Sequence, residues 1–78
     1  MTHLEFHKLP LRFLGHMSFD TEHLAAYKAE TPKGDILMRI YTHKRKNGEF
    51  GKSVRIYKFR GKEFKSVVKL LKDYNGTE

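Results

Sequence analysis

The chain of 78 residues has no cysteine, only two prolines, nine acidic side chains and no long apolar run. Without cysteine, disulfide staples and thiolate metal sites are excluded. A domain of this size buries only about 60–65% of its unfolded surface, so oligomerisation is the common stabilising device that remains. No stretch approaches the roughly 20 apolar residues of a membrane span. Met1 to Lys8 lacks the basic-then-apolar layout of a signal peptide. These absences predict one domain over residues 1–78 and a cytoplasmic protein, with a nucleoid or nuclear setting also open.

The scarcity of carboxylates bears on chemistry as well. Those present are scattered, which argues against two-metal nuclease chemistry. Five histidines occur, with His3 and His7 four apart and His16 and His23 seven apart. No carboxylate cluster or Cys/His spacing accompanies them, so zinc is not expected. No nucleophile stands with a base and an orienting third group, and neither an enzyme nor a cofactor is expected.

Hydrophobic residues make up 38% of the chain and aromatic ones 13%, which predicts a folded domain rather than disorder. The net charge of +7 is segregated. Residues 1–38 sum to −1 and residues 39–78 to +8. A basic half mixed with aromatics is the electrostatic footprint of a polyanion binder. The plainer explanation is a solvated lysine-rich surface.

Along the chain, Leu9, Leu11 and Phe13 alternate with Pro10 and Arg12, which predicts a first strand ending near Gly15-His16. Pro10 favours an edge position for it. Thr21 to Thr31 reads equally as helix, from its alanine, leucine and glutamate content, or as strand. Thr31-Pro32-Lys33-Gly34-Asp35 is a turn. Ile36 to Thr42 is the clearest strand, with Ile36, Met38, Ile40 and Thr42 facing the core. Leu37, Arg39, Tyr41 and His43 then face a wet or ligand-bearing surface.

Asn47-Gly48 marks a hairpin tip, and the chain returns over Lys52 to Phe59. Two registers are open. A three-residue loop with left-handed Gly48 opposes Ile40 to Val54. A two-residue loop opposes Ile40 to Arg55 and Met38 to Tyr57, and a bulge at Gly51 would reconcile it with the pattern. After Arg60-Gly61 a helix is expected over residues 60–75, with Phe64, Val67, Val68 and Leu71 as its apolar stripe. That stripe is read as core or dimer interface. Asn75-Gly76 stops the helix.

The residues with binding chemistry are Arg39, Tyr41, His43, Lys44, Arg45, Lys46, Phe50, Lys52, Arg55 and Tyr57. Single-strand binders need cations to track phosphates and flat rings on which bases stack. A stiff strand pair projects both at regular spacing.

The element order resembles the transcriptional coactivator family known as positive cofactor four, over Phe19 to Tyr74. Its strand, lysine-glycine turn and strand resemble His23–Thr31, Lys33-Gly34 and Ile36–His43. Its Gly-Glu tip resembles Gly48-Glu49, and the basic residues that follow resemble Lys52 and Arg55. Its later strand apolars resemble Tyr57 and Phe59, and its helix-opening aromatic resembles Phe64. Arg39-Ile40-Tyr41 stands where the family has Asp-Ile-Arg, Pro32 replaces an aromatic, and the tryptophan-containing helix start is missing.

The resemblance implies an α+β fold, a four-stranded antiparallel sheet followed by one C-terminal helix, in a homodimer that binds single-stranded DNA. It also implies that residues 21–31 are strand and that Tyr57 and Phe59 point inward. Phosphate holders would be Lys28, Lys33, Arg39, Lys44, Lys46, Lys52 and Arg55. Tyr41 and His43, with Tyr27 and Phe50, would stack bases. Two rival expectations are a regulator docking on an acidic face of the transcription or replication machinery, and an RNA-binding module.

Overall fold

The computed structural model describes residues 1–76. The elements are α1 (His3–His7), β1 (Arg12–Ser18), β2 (Glu22–Ala29), β3 (Ile36–Lys44), β4 (Phe50–Phe59), β5 (Lys62–Phe64) and α2 (Val67–Asn75). The strands form one antiparallel meander in sequence order, so β1 and β5 are the edges. The fold is therefore α+β with a C-terminal helix, and the sheet has five strands where four were expected.

The extra strand comes from Arg60 and Gly61. Both take positive φ, 51° and 81°, the combination that turns a two-residue hairpin with the twist of its strands. The chain therefore reverses, pairing Phe59 with Lys62 and Tyr57 with Phe64, instead of entering a helix. The helix expected over 60–75 begins only at Val67. Phe64 is accordingly a strand residue, and the apolar stripe shifts to Val67, Leu70, Leu71 and Tyr74. Leu70, Leu71 and Tyr74 are buried, whereas Val68 is 66% exposed.

Residues 22–29 are strand, in full register with β3. The hairpin combines both registers weighed from sequence. At its tip Arg45 and Glu49 pair and Gly48 has φ 87°, a three-residue loop that keeps Lys44 opposite Phe50. Gly51 and Lys52 then both oppose His43, a bulge that moves the pairing by one residue. From Thr42–Ser53 onward Ile40 faces Arg55 and Met38 faces Tyr57. Tyr57 and Phe59 consequently point inward, where both are buried. At the other side of the sheet β1 extends past Gly15, which has φ 153° and sits at an irregularity in the pairing with β2.

One face of the sheet carries the core. Ala29, Ile36, Met38, Tyr57 and Phe59 pack with Leu70 and Tyr74 of α2, and Phe6 and Leu9 close over the same cluster. Phe6 meets Tyr57 edge-on at 5.6 Å. The short α1 forms because Thr2 and Glu5 make a reciprocal capping box, each side chain accepting from the other's backbone N–H at 3.1 Å. The hydrogen bond from the Thr2 backbone first, and then the Thr2 side chain, hold the Glu5 carboxyl below its ordinary value of 4.5. Among the described residues no helix is long and apolar enough to cross a membrane.

Candidate nucleic-acid interface

Both helices sit over one end of the sheet, on a body 47 Å long and about half as wide. The other half of the same face has no helix over it. Side-chain alternation places Phe13, His16 and Ser18 of β1 there, with His23, Ala25 and Tyr27 of β2. Ile40, Thr42 and Lys44 of β3 and Phe50, Ser53 and Arg55 of β4 complete it. Among the described residues no carboxylate occupies a strand position of this half.

A band of rings crosses it. Phe13 and His16 lie 6.2 Å apart and nearly parallel, His16 and His23 5.4 Å apart, and His23 and Phe50 5.8 Å apart. Tyr27 adjoins Phe13 at 5.4 Å. Phe13 and Phe50 are 53% and 61% exposed, unusual for large apolar rings with nothing covering them. Flat rings of this kind, on a stiff sheet with cations beside them, are what an unpaired base stacks on. Hydrophobic core is the competing use for such rings; Tyr27 does pack against the buried cluster, whereas Phe13, His16, His23 and Phe50 lie outside it.

The expected binding residues divide between two faces. Arg55 and Lys44 belong to the ring-bearing half, with Phe50 and Tyr27. Arg55 is exposed and borders the cavity under α1 that Phe6, Leu9 and Tyr57 line. Lys44 donates to Ser18 Oγ and to the Phe19 carbonyl at 3.0 Å, which ties the tip of the hairpin to β1. Lys46 and Lys52 are exposed at the tip and in the bulge.

Arg39, Tyr41, His43, Arg45 and Lys28 sit on the outer face. There Arg39 pairs with Glu63 and bonds the Tyr41 hydroxyl at 3.4 Å. Lys28 lies 3.7 Å from Glu30 and 3.8 Å from Asp35. Carboxylates thus neutralise much of the charge on that face. Lys33 is engaged elsewhere, donating to the Tyr74 carbonyl at 3.0 Å with its ammonium 4.8 Å over the Tyr74 ring. That position suits the negative end of α2 and places Lys33 at the helix-covered end of the sheet, away from the ring-bearing half.

The dimer-interface set is largely consumed by the chain's own core. Leu71 is buried, and Phe64 and Val67 pack against the buried cluster, leaving only Val68 exposed. The physical reason is that Leu70 and Tyr74, three and seven residues after Val67, complete the inward stripe with Leu71, which leaves Val68 on its outer side.

Phe13, His16 and His23 were absent from the expected site. Their alignment depends on the β1–β2 register, which is set by the irregularity at Gly15 and carries no local sequence signature. His3 and His7 form a separate ring pair at 4.6 Å on α1.

No family model, curated protein or solved structure matches the chain.

Proposed function

We propose that the uncovered half of the sheet binds single-stranded DNA without strong sequence preference, in transcription, replication or recombination. The observation that carries this reading is the ring band from Phe13 to Phe50, exposed at both ends, on a cation-flanked surface with no carboxylate among its described strand residues. Arg55, Lys44, Lys46 and Lys52 hold phosphates, while Phe13, His16, His23 and Phe50 offer ring faces to successive bases. The readout is sequence-tolerant because every base has a π-face.

The resemblance to the positive cofactor four family supports the same ligand class and adds a homodimer. The edge strand β1 offers a seat for the second copy, since Leu11, Leu14, Met17 and Phe19 are exposed on and beside it. Light scattering tests this part of the reading, and a monomer at high micromolar concentration contradicts it.

The binding test is fluorescence anisotropy with labelled single-stranded and duplex DNA, and with the matching RNA, at two salt concentrations. Preferential, salt-sensitive binding of the DNA single strand is the expected result. A preference for duplex, or no binding at low salt, overturns the reading. Salt sensitivity alone does not establish it, because any basic protein shows that.

The same exposed β1 apolars favour one second reading, a regulator that docks another protein along this edge. It requires pull-down of a partner that is lost on Leu14→Glu/Met17→Glu, with negligible affinity for oligonucleotides.

A further inference from the structure

A second basic surface lies at the opposite end of the molecule from the ring band. The β4–β5 turn and the last turns of α2 enclose a groove of about 670 Å³. Among the described residues Arg60, Lys62, Lys69 and Lys72 line it, against the one carboxylate of Asp73. Lys62 lies 3.4 Å from Asp73. Among the described residues Arg60, Lys69 and Lys72 have no carboxylate partner. Phe64, the groove's one ring, is half-buried and belongs to the core edge.

The backbone at this groove is unusual. Arg60 is the only described non-glycine residue with positive φ, at 51°. Left-handed backbone disfavours a side chain with a Cβ, and asparagine or glycine would occupy this turn position more easily. A conformation kept against local preference is characteristic of functional positions. Here it aims an arginine at a groove already lined by three lysines.

We propose that this groove is a second nucleic-acid site, holding the phosphodiester backbone of a strand other than the one on the ring band. The inference rests on the single-strand reading above. Its chemistry differs from that of the band, because cations without free rings recognise phosphate alone. β4 separates the two places, running from Phe50 to Phe59, about 30 Å at the usual rise per residue. With α1 and α2 covering the face between them, the protein brings two nucleic-acid segments onto one body.

The test mixes donor-labelled and acceptor-labelled oligothymidylates, which cannot pair with each other, and reads energy transfer when the full chain is added at a concentration where light scattering finds monomer. Transfer is expected with the unaltered chain. Arg60→Glu/Lys69→Glu/Lys72→Glu should reduce transfer to background while changing the affinity for one oligothymidylate by less than threefold.

Far-UV circular dichroism checks folding, and Lys69→Gln/Lys72→Gln, exposed on α2, gives a milder variant expected to lose most of the transfer. Transfer that persists in both groove variants overturns the proposal, because dimerisation alone then explains bridging. Single-strand binding with no transfer overturns it while leaving the ring-band reading intact. If Phe13→Ala/Phe50→Ala binds like the unaltered chain and the groove variant does not bind, the groove is the sole site, and both the stacking reading and the two-strand proposal fail. Absence of any oligonucleotide binding overturns both.

Discussion

Met38 lies directly opposite Tyr57, not opposite Ile56 as it would if the pairing at the hairpin tip continued unbroken. The difference is one residue, absorbed where Gly51 and Lys52 share His43 as partner. A slip of one residue would turn Tyr57 and Phe59 to the other face of the sheet. The bulge therefore decides what the core contains. Deletion of Gly51 should leave the pairing beyond Thr42–Ser53 intact and the melting temperature close to that of the parent. Gly48→Ala, by contrast, places a Cβ at φ 87° and should cost about 1–2 kcal/mol in chemical denaturation.

Helix α2 offers a sharper contrast. Leu70 is fully buried and Val68 is 66% exposed, only two residues apart. Leu70→Ala should cost about 2–5 kcal/mol, an appreciable part of the stability of so small a domain. Val68→Ala should stay within about 0.5 kcal/mol. Thermal unfolding of the two variants distinguishes this phase of the helix from one with Val68 inward.

The ring band and the outer face can be separated by mutation. Phe50→Ala and His23→Ala should each weaken single-strand binding by about 1–3 kcal/mol in anisotropy titrations, the usual worth of one stacked base. Tyr41→Phe, which removes a hydroxyl on the outer face that Arg39 bonds, should leave affinity within about twofold, roughly 0.4 kcal/mol. Equal losses on the two faces would show that the sheet does not bind through the ring-bearing half.

Glu5 predicts a pH effect confined to α1. Its carboxyl is held below 4.5, first by the hydrogen bond from the Thr2 backbone and then by the Thr2 side chain. The folded value is the depressed one, so the capping contribution is complete above the ordinary value and disappears as pH falls through the lowered one. An NMR titration of the Glu5 side-chain carbon should give a midpoint below 4.5. Thr2→Ala should move that midpoint upward.

Much of this fold is legible in sequence. Ile36 to Thr42 reads as strand because its apolar residues alternate, and Asn47-Gly48 reads as a tip because it tolerates left-handed backbone. The strand nature of residues 22–29 is not legible from propensity, since pairing between β1 and β3 overrides their helix-forming composition. The fifth strand is hidden because Arg60 is an unexpected residue for a positive-φ turn. Within the candidate site, Lys44, Arg55 and Phe50 could be picked out as basic or aromatic residues of the hairpin. The histidines and Phe13 could not, because long-range register brings their rings together.

The helices cap only one end of the sheet, and that has a consequence for motion. The strands near Ser18, His23, Lys44 and Phe50 have neighbours in the sheet but no layer packed on either side of it. Their amide protons should exchange through local opening, well before those of Ile36 and Phe59 beneath α2. A nucleic-acid strand lying across the rings would act as the missing layer, so binding should slow exchange most at the end where the free protein is least protected.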